Sequence, residues 1–508
     1  MFWASWVVLC ALSGLWALAS PVASAPDEPA HIVRAVALVK QAELVPGRPG
    51  IWTAEVPHIY ALTHEMYGCY AFRPEQPAGC WPRDYGDVAA PEWAETAAGG
   101  YNPLYYGVVG LPSLLEPRLG TLYLMRMMSA LLGSLCLALA LRSVAEVAQR
   151  RWTVLGVGVA TTPMVVYMNG TVNPNSVEAA AGLGLWTVLL LALLHPDPAL
   201  TTRRWWRAGV LVVLLVNAKA LSPLYLALVV LGCVAFAGWR AVRTALADRR
   251  TWPGLALGVA GSIAAVGWVL RSGSAAGDGE QRFPWLQPER ALDNVLRKTS
   301  VYVEQMIGVF GWIDTPAPGT AILLVSGVLG LLGVLALAVA RRREWISLGG
   351  LSLAVVLLPI VLQVPNATSV GLPWQGRYLL AVAVGVPVLA GVVLDRRPGL
   401  PARAARRATV VALVLLGLVQ AACFWWNLRR YVAGLDTPWF ESIPEPWAPP
   451  VPAGVLFVAG LLVVSAVTAL MIRLARDEGP PGTGDDGSST AVGAGAGSDR
   501  APRPGVVV

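Results

Sequence analysis

Charge is scarce in this chain. Asp, Glu, Lys and Arg make up 14% of its 508 residues, where a soluble domain carries about 25%. That shortage excludes an ordinary soluble fold. The 56% hydrophobic content and a mean hydropathy of +0.58 agree with it, and long apolar runs recur as in a polytopic helical membrane protein. Lysine is rare, and the arginines fall in short clusters between apolar stretches. The net charge of +7 therefore reads as a membrane-orientation signal, and no nucleic-acid partner is expected. Six cysteines and four histidines offer no zinc-type spacing. No internal repeat of the kind found in many transporters is visible. The first apolar stretch, residues 2–20, holds no charge, and the opening Met1-Phe-Trp-Ala-Ser-Trp6 has no Lys or Arg. Despite the signal-peptidase-like Ala23-Ser24-Ala25, an uncleaved anchor is expected.

Further apolar spans are expected at about 121–141, 153–168, 176–194, 252–270, 321–340, 346–362, 378–394, 409–425 and 453–472. Residues 208–239 form a longer apolar region interrupted by Asn217-Ala-Lys219-Ala-Leu-Ser222-Pro223, long enough for two short crossings. The expected fold is an all-α transmembrane bundle of about 12 spans. The Arg clusters around Arg150, Arg203, Arg243, Arg341, Arg406 and Arg473 fall on one side if both termini are cytoplasmic. The chain then divides into an anchor (1–24), a large extracytoplasmic loop (25–120), a first part of the bundle (121–270), a second extracytoplasmic segment (271–319), a second part of the bundle (320–476) and a disordered cytoplasmic tail (477–508). Localisation in the cytoplasmic membrane follows.

The polar residues at the outer ends of these spans are the candidates for chemistry. Asp27, Glu28 and His31 arrive together where the first span ends, and ionisable groups are costly at a membrane edge. A carboxylate there suits a general base or a divalent-metal contact, although no complete ligand set is legible and the metal stays unknown. The same acids also suit a helix start, with Glu28 as N-cap and Pro29 at N1. A helix over 29–40 places His31 and Arg34 on one face and Ile32, Val33, Val36 and Val39 on the other, as in an amphipathic helix lying on the membrane. Tyr105 and Tyr106 fit an interfacial belt or a stacking platform for a sugar. Arg126 reads as a snorkelling side chain or a phosphate contact. Lys219, inside an apolar region beside a helix breaker, lines a polar cavity, pairs with an acid or snorkels. Asp314, in Gly311-Trp-Ile-Asp-Thr315, is the second candidate carboxylate, expected either to contact substrate or to hold an Asx-type turn. Trp374, Gln375 and Arg377 open a later span. A guanidinium at a helix N-terminus opposes the macrodipole, so an anionic partner is its natural explanation. Cys69 and Cys80 share one outer loop and are expected to form a disulfide.

The motifs Asp27-Glu-Pro-Ala-His31, Asn102-Pro-Leu-Tyr-Tyr106, Asn173-Pro-Asn-Ser176, Gly311-Trp-Ile-Asp-Thr315 and Gln375-Gly-Arg-Tyr378 together resemble a bacterial family of polytopic membrane proteins of unknown function. That family is allied in topology to the GT-C glycosyltransferases. The resemblance implies a catalytic acid, Asp27 or Glu28, in the first outer loop and a polyprenyl-phosphate sugar donor. The acceptor would be an envelope glycan, lipid or protein. Asn175 stands where the family pattern has an Asp. Two other function classes fit the composition: a transporter or flippase of a lipid-linked or anionic precursor, and a non-catalytic envelope assembly protein.

Overall fold

The computed structural model describes residues 1–80, 84–273, 281–397, 401–438 and 447–476. The tail expected to be disordered lies outside these residues. Helices dominate, as a bilayer requires, because each satisfies its own backbone hydrogen bonds. Among the described residues, eight helices are long and apolar enough to cross a membrane: Leu119–Val144, Asn175–Leu194, Arg249–Ser272, Gly319–Val339, Arg342–Val370, Gly376–Arg396, Ala402–Ala433 and Ala453–Leu474. A ninth results if Ser222–Ala237 and Trp239–Ala247, bent by 105°, form one span.

The expectation of about 12 spans differs from this in three places, each for a local reason. The first helix, Phe2–Leu18, is apolar but only 17 residues long. The stretch expected as one span at 153–168 breaks into Arg151–Ala160 and Pro163–Asn169, because Pro163 has no N–H to continue the ladder. Thr162 caps the second piece, its Oγ1 accepting from the Val165 N–H at 3.4 Å. The 208–239 region resolves into Thr201–Val216 and Ser222–Ala237, each of 16 residues and so about 24 Å long. The Asn217–Leu221 hinge between them carries Lys219. Gly238, at φ 84°, turns the chain into the surface helix Trp239–Ala247, which has no buried residue.

The first helix is a core element. Leu9, Leu12, Trp16 and Ala17 are buried, Trp6 Nε1 donates to Leu131 O at 3.1 Å, and Gly170 packs directly on the backbone of Ser13 and Ala17.

The first loop adds a small sheet to this mostly helical fold. It holds a three-stranded antiparallel sheet, β1 (Val45–Pro46), β2 (Trp52–Pro57) and β3 (Pro91–Thr96), in the order β1-β2-β3. Trp52 pairs with Thr96 and Pro57 with Pro91. Ala54 and Val56 turn inward and Glu55 outward, the period-two pattern of a half-buried strand. A short hairpin, Val309–Phe310 with Thr315–Pro316, closes the second segment.

The helix Glu28–Val39 is buried on both faces and leaves no open amphipathic face. The sheet and the helix Pro103–Val109 pack over it, and His31 and Arg34 are buried along with Ile32, Val33 and Val36. Thr96 Oγ1 donates to Ala30 O at 2.7 Å and fastens the sheet to this helix.

Candidate functional site

The two adjacent acids separate in space. Glu28 is fully buried and forms a bidentate pair with Arg126, Nε to Oε1 at 2.8 Å and Nη2 to Oε2 at 2.6 Å. Its Oε1 also accepts from the Val172 N–H at 3.0 Å. The other Arg126 N–H groups go to Ala17 O, Ser20 O, Pro21 O and Ser24 Oγ. Arg126 therefore neither snorkels nor has donors left for a phosphate. Glu28 is not the N-cap and has no open face toward a substrate. Its chemistry is that of a buried clamp joining the first helix, the first loop and the Leu119–Val144 helix.

Asp27 is the N-cap residue, in the left-handed region at φ 64°, and its side chain makes no capping hydrogen bond. Its carboxylate is instead 54% exposed and accepts from Arg377 Nη2 at 2.7 Å. Packing around Asp27 opposes ionisation. The charges of Arg377 and Lys219 outweigh it, and the carboxyl is held below its usual value.

Arg377 belongs to the turn Gly376–Leu379 that opens a span. Gly376 lets this turn approach closely: a Cβ there would lie 2.1 Å from Tyr302 O. The Arg377 side chain is 4% exposed. Its Nε and Nη1 are buried without a hydrogen-bond partner. A buried donor left unmet costs about 1–3 kcal/mol, more when charged, so the arrangement is poised for an anion.

Lys219 reaches the same place from the hinge, its Nζ 4.6 Å from the Tyr378 ring centroid. The Arg377 guanidinium lies 5.2 Å from that ring. Asn102 Nδ2 donates to Asn217 Oδ1 at 2.8 Å, tying the outer loop to the hinge. Behind the hinge, Ser222 Oγ accepts from the Lys219 N–H at 3.0 Å and donates to the buried Glu178 at 2.5 Å. Gln375 Oε1 and Trp374 Nε1 are also buried and unpartnered, and Trp374 packs edge-on to Tyr378 at 5.9 Å.

The remaining candidates have other surroundings. His31 Nδ1 shares a hydrogen bond with Tyr106 OH at 2.8 Å. Burial pushes its imidazole down to about 3, against the pull of Asp27, so it is neutral at working pH. Arg34 Nη2 reaches Tyr101 O at 3.4 Å. Tyr105 and Tyr106 are buried, with Tyr105 OH bonded to Ser129 Oγ at 3.0 Å. Neither offers a ring face to a sugar or to the membrane interface, because the loop folds over them. Asp314 joins a different cluster. It accepts from the Phe72 N–H at 2.9 Å, from Arg430 at 3.3 Å and from Thr315 Oγ1 at 2.9 Å. Gly311, at φ 61°, lets that turn close, since a Cβ would meet Asp314 Oδ1. Cys69 and Cys80 are bonded, with Cα atoms 6.1 Å apart. Among the described residues no group of three or more His, Cys, Asp and Glu is placed to hold a metal.

Sequence reasoning missed Tyr378, which both site cations approach. It follows Arg377 directly, so the motif already contained it. It also missed the Glu28–Arg126 pair, whose members lie 98 residues apart and share no local signature.

No curated protein matches this chain. It is similar to two solved structures of ArnT from Cupriavidus metallidurans. The form bound to undecaprenyl phosphate has a TM-score of 0.44 and 13% identity, covering 92% of this chain and 76% of that one. The apo form has a TM-score of 0.40 and 16% identity, covering 87% and 71%. A family model described as "Predicted membrane protein (DUF2142)" matches residues 10–386, and the chain belongs to that family of membrane proteins.

Proposed function

We propose that this protein is a GT-C-like glycosyltransferase of the cytoplasmic membrane. It would transfer a sugar from a polyprenyl-phosphate donor to an envelope glycan, lipid or protein on the outer face. One observation carries the reading: a half-exposed, ionised Asp27 shares a single N–H of a buried Arg377 whose Nε and Nη1 have no partner. A base and an anion-binding fork stand side by side, as sugar transfer from a phosphate ester requires.

In the reaction, the acceptor hydroxyl oxygen attacks the anomeric carbon and its proton passes to Asp27. The bond from the anomeric carbon to the phosphate oxygen breaks, and its electron pair leaves with the polyprenyl phosphate. Arg377 and Lys219 stabilise the growing charge on that leaving group. Trp374 and Gln375 supply unpartnered polar atoms for sugar hydroxyls. Neutral His31 and Arg34 hold the Asp27 helix against Tyr106 and Tyr101. Glu28 acts as a structural clamp. The donor set does not fit a resident divalent metal, and no step is routed through one.

A transporter is the second reading, favoured by buried Glu178 at the Asn217–Leu221 hinge. The experiment separates the two. A deletion strain is complemented with wild type, Asp27→Asn or Arg377→Gln, and its lipid extracts are searched for polyprenyl-phosphate sugars. Both variants should insert normally, accumulate the donor and leave an envelope component under-glycosylated. Wild-type envelope glycans in both variants would overturn the enzymatic reading. In proteoliposomes, movement of intact donor across the bilayer without sugar transfer would favour transport.

A further inference from the structure

On the side opposite the Asp27–Arg377 site, a cavity of about 170 Å³ opens between three helices. It is lined by Arg151, Arg406, Thr409, Val410, Ile472, Ala475 and Arg476. Its wall is fixed by Arg150, whose Nε donates to Leu474 O at 2.9 Å and whose Nη2 reaches Arg476 O at 3.3 Å. That clamp pins the end of the Ala453–Leu474 helix beside the start of Arg151–Ala160.

The lining is divided by polarity. On Ala402–Ala433, Arg406 stands one turn before Thr409 and Val410. After Ala453–Leu474, Arg476 stands one turn beyond Ile472. Both helical walls thus pass from apolar to cationic, and no acid is among the described lining residues. Thr409 is 1% exposed and its Oγ1 has no hydrogen-bond partner. A buried, unmet hydroxyl facing a cavity calls for an acceptor.

The geometry points to a binding site for one anionic phospholipid: the phosphodiester sits among Arg406, Arg476 and Thr409 Oγ1, and the glycerol rests on Val410 and Ile472. The apolar wall of Val410 and Ile472 distinguishes a lipid headgroup from a free phosphate, which has no use for it. Basic pockets between membrane helices take such headgroups. Orientation clusters alone are solvated arginines. Here the cavity and the orphan hydroxyl add a shaped receptor. The site is independent of the proposed transferase chemistry.

The full chain, purified and delipidated in detergent, is titrated with phosphatidylglycerol, phosphatidylcholine or inorganic phosphate and read by native mass spectrometry. Wild type should retain phosphatidylglycerol more tightly than phosphatidylcholine. Arg406→Gln and Thr409→Val should each weaken the tightest phosphatidylglycerol by about tenfold, the loss of one charge-assisted contact. Arg403→Gln, on the same helix but outside the cavity, should leave it unchanged. Thr409→Val keeps shape and charge, so it decides the matter if Arg406→Gln folds poorly. Unchanged affinity in Thr409→Val overturns the site. Equal retention of phosphatidylcholine overturns the anionic preference. Displacement by millimolar inorganic phosphate shows an ion site and overturns the lipid assignment.

Discussion

Replacing Glu28 with Gln should damage the fold more than the chemistry. Glu28 and Arg126 are both fully buried and pair at 2.6 and 2.8 Å. Gln keeps the length of Glu and one acceptor oxygen, so the Val172 N–H can stay bonded. What disappears is the counter-charge to a fully buried guanidinium. Breaking one side of a buried pair typically costs about 3–5 kcal/mol. The retained hydrogen bonds place this case near 3 kcal/mol. Against a total stability of roughly 5–15 kcal/mol, that loss is large. Scanned at a fixed rate in one detergent, the unfolding midpoint should fall by on the order of 5 °C, and yield should drop. The double variant Glu28→Gln/Arg126→Met should recover part of the loss, because it removes the stranded charge as well. A Glu28→Gln protein that unfolds within 1 °C of wild type would refute the clamp.

Asp27→Asn should instead leave the midpoint and expression near wild type while transfer falls by about 10²–10⁴. Because Arg377 keeps the Asp27 carboxyl below its usual value, the acid limb of the rate profile should lie below about pH 4, and Arg377→Gln should move it upward. His31 has a depressed folded-state value of about 3. Its contribution to stability is present above about pH 6.5 and is lost progressively as pH falls toward 3, so His31→Gln should flatten the stability curve there. Reduction of Cys69–Cys80, which spans 11 residues, should cost roughly 2–3 kcal/mol in the chain-entropy picture, read as a lower midpoint with reductant. Reporter fusions at Arg150 and Arg343 should report the cytoplasm and one at Gly86 the outside. An external signal at Arg343 would invert the topology.

The helical membrane class was legible because the apolar runs are long. Asp27, Lys219 and Arg377 were each legible as candidates, since each is an ionisable group costly at its place in an apolar sequence. Their company was not: Arg377 lies 350 residues from Asp27, and only packing brings them together. Asp27 and Glu28 are neighbours with the same chemistry, and nothing local says which one turns inward. That choice is made by Arg126 and by the turn at Asp27. Tyr105 and Tyr106 looked like interfacial residues because their sequence neighbours are apolar. The sheet that helps enclose the outer loop comes from two six-residue strands and one of two residues, too short to announce themselves. The break at Thr161–Pro163 was visible in Pro163 but was outweighed by the apolar run around it.

The left-handed backbone at position 27 restricts which replacements can speak about catalysis at all. A Cβ-bearing residue held at φ near +60° pays roughly 1–2 kcal/mol, and Asp, Asn and Gly are the usual tenants. Alanine there would add backbone strain to lost chemistry, and a β-branched residue would fare worse. Mutational tolerance at this site would therefore look like selection for a carboxylate even if the turn alone were being selected. Asn and Gly form the informative pair. Asn keeps the side-chain shape without the charge, and Gly keeps the turn without the side chain. If both are inactive and both fold, the requirement at position 27 is chemical.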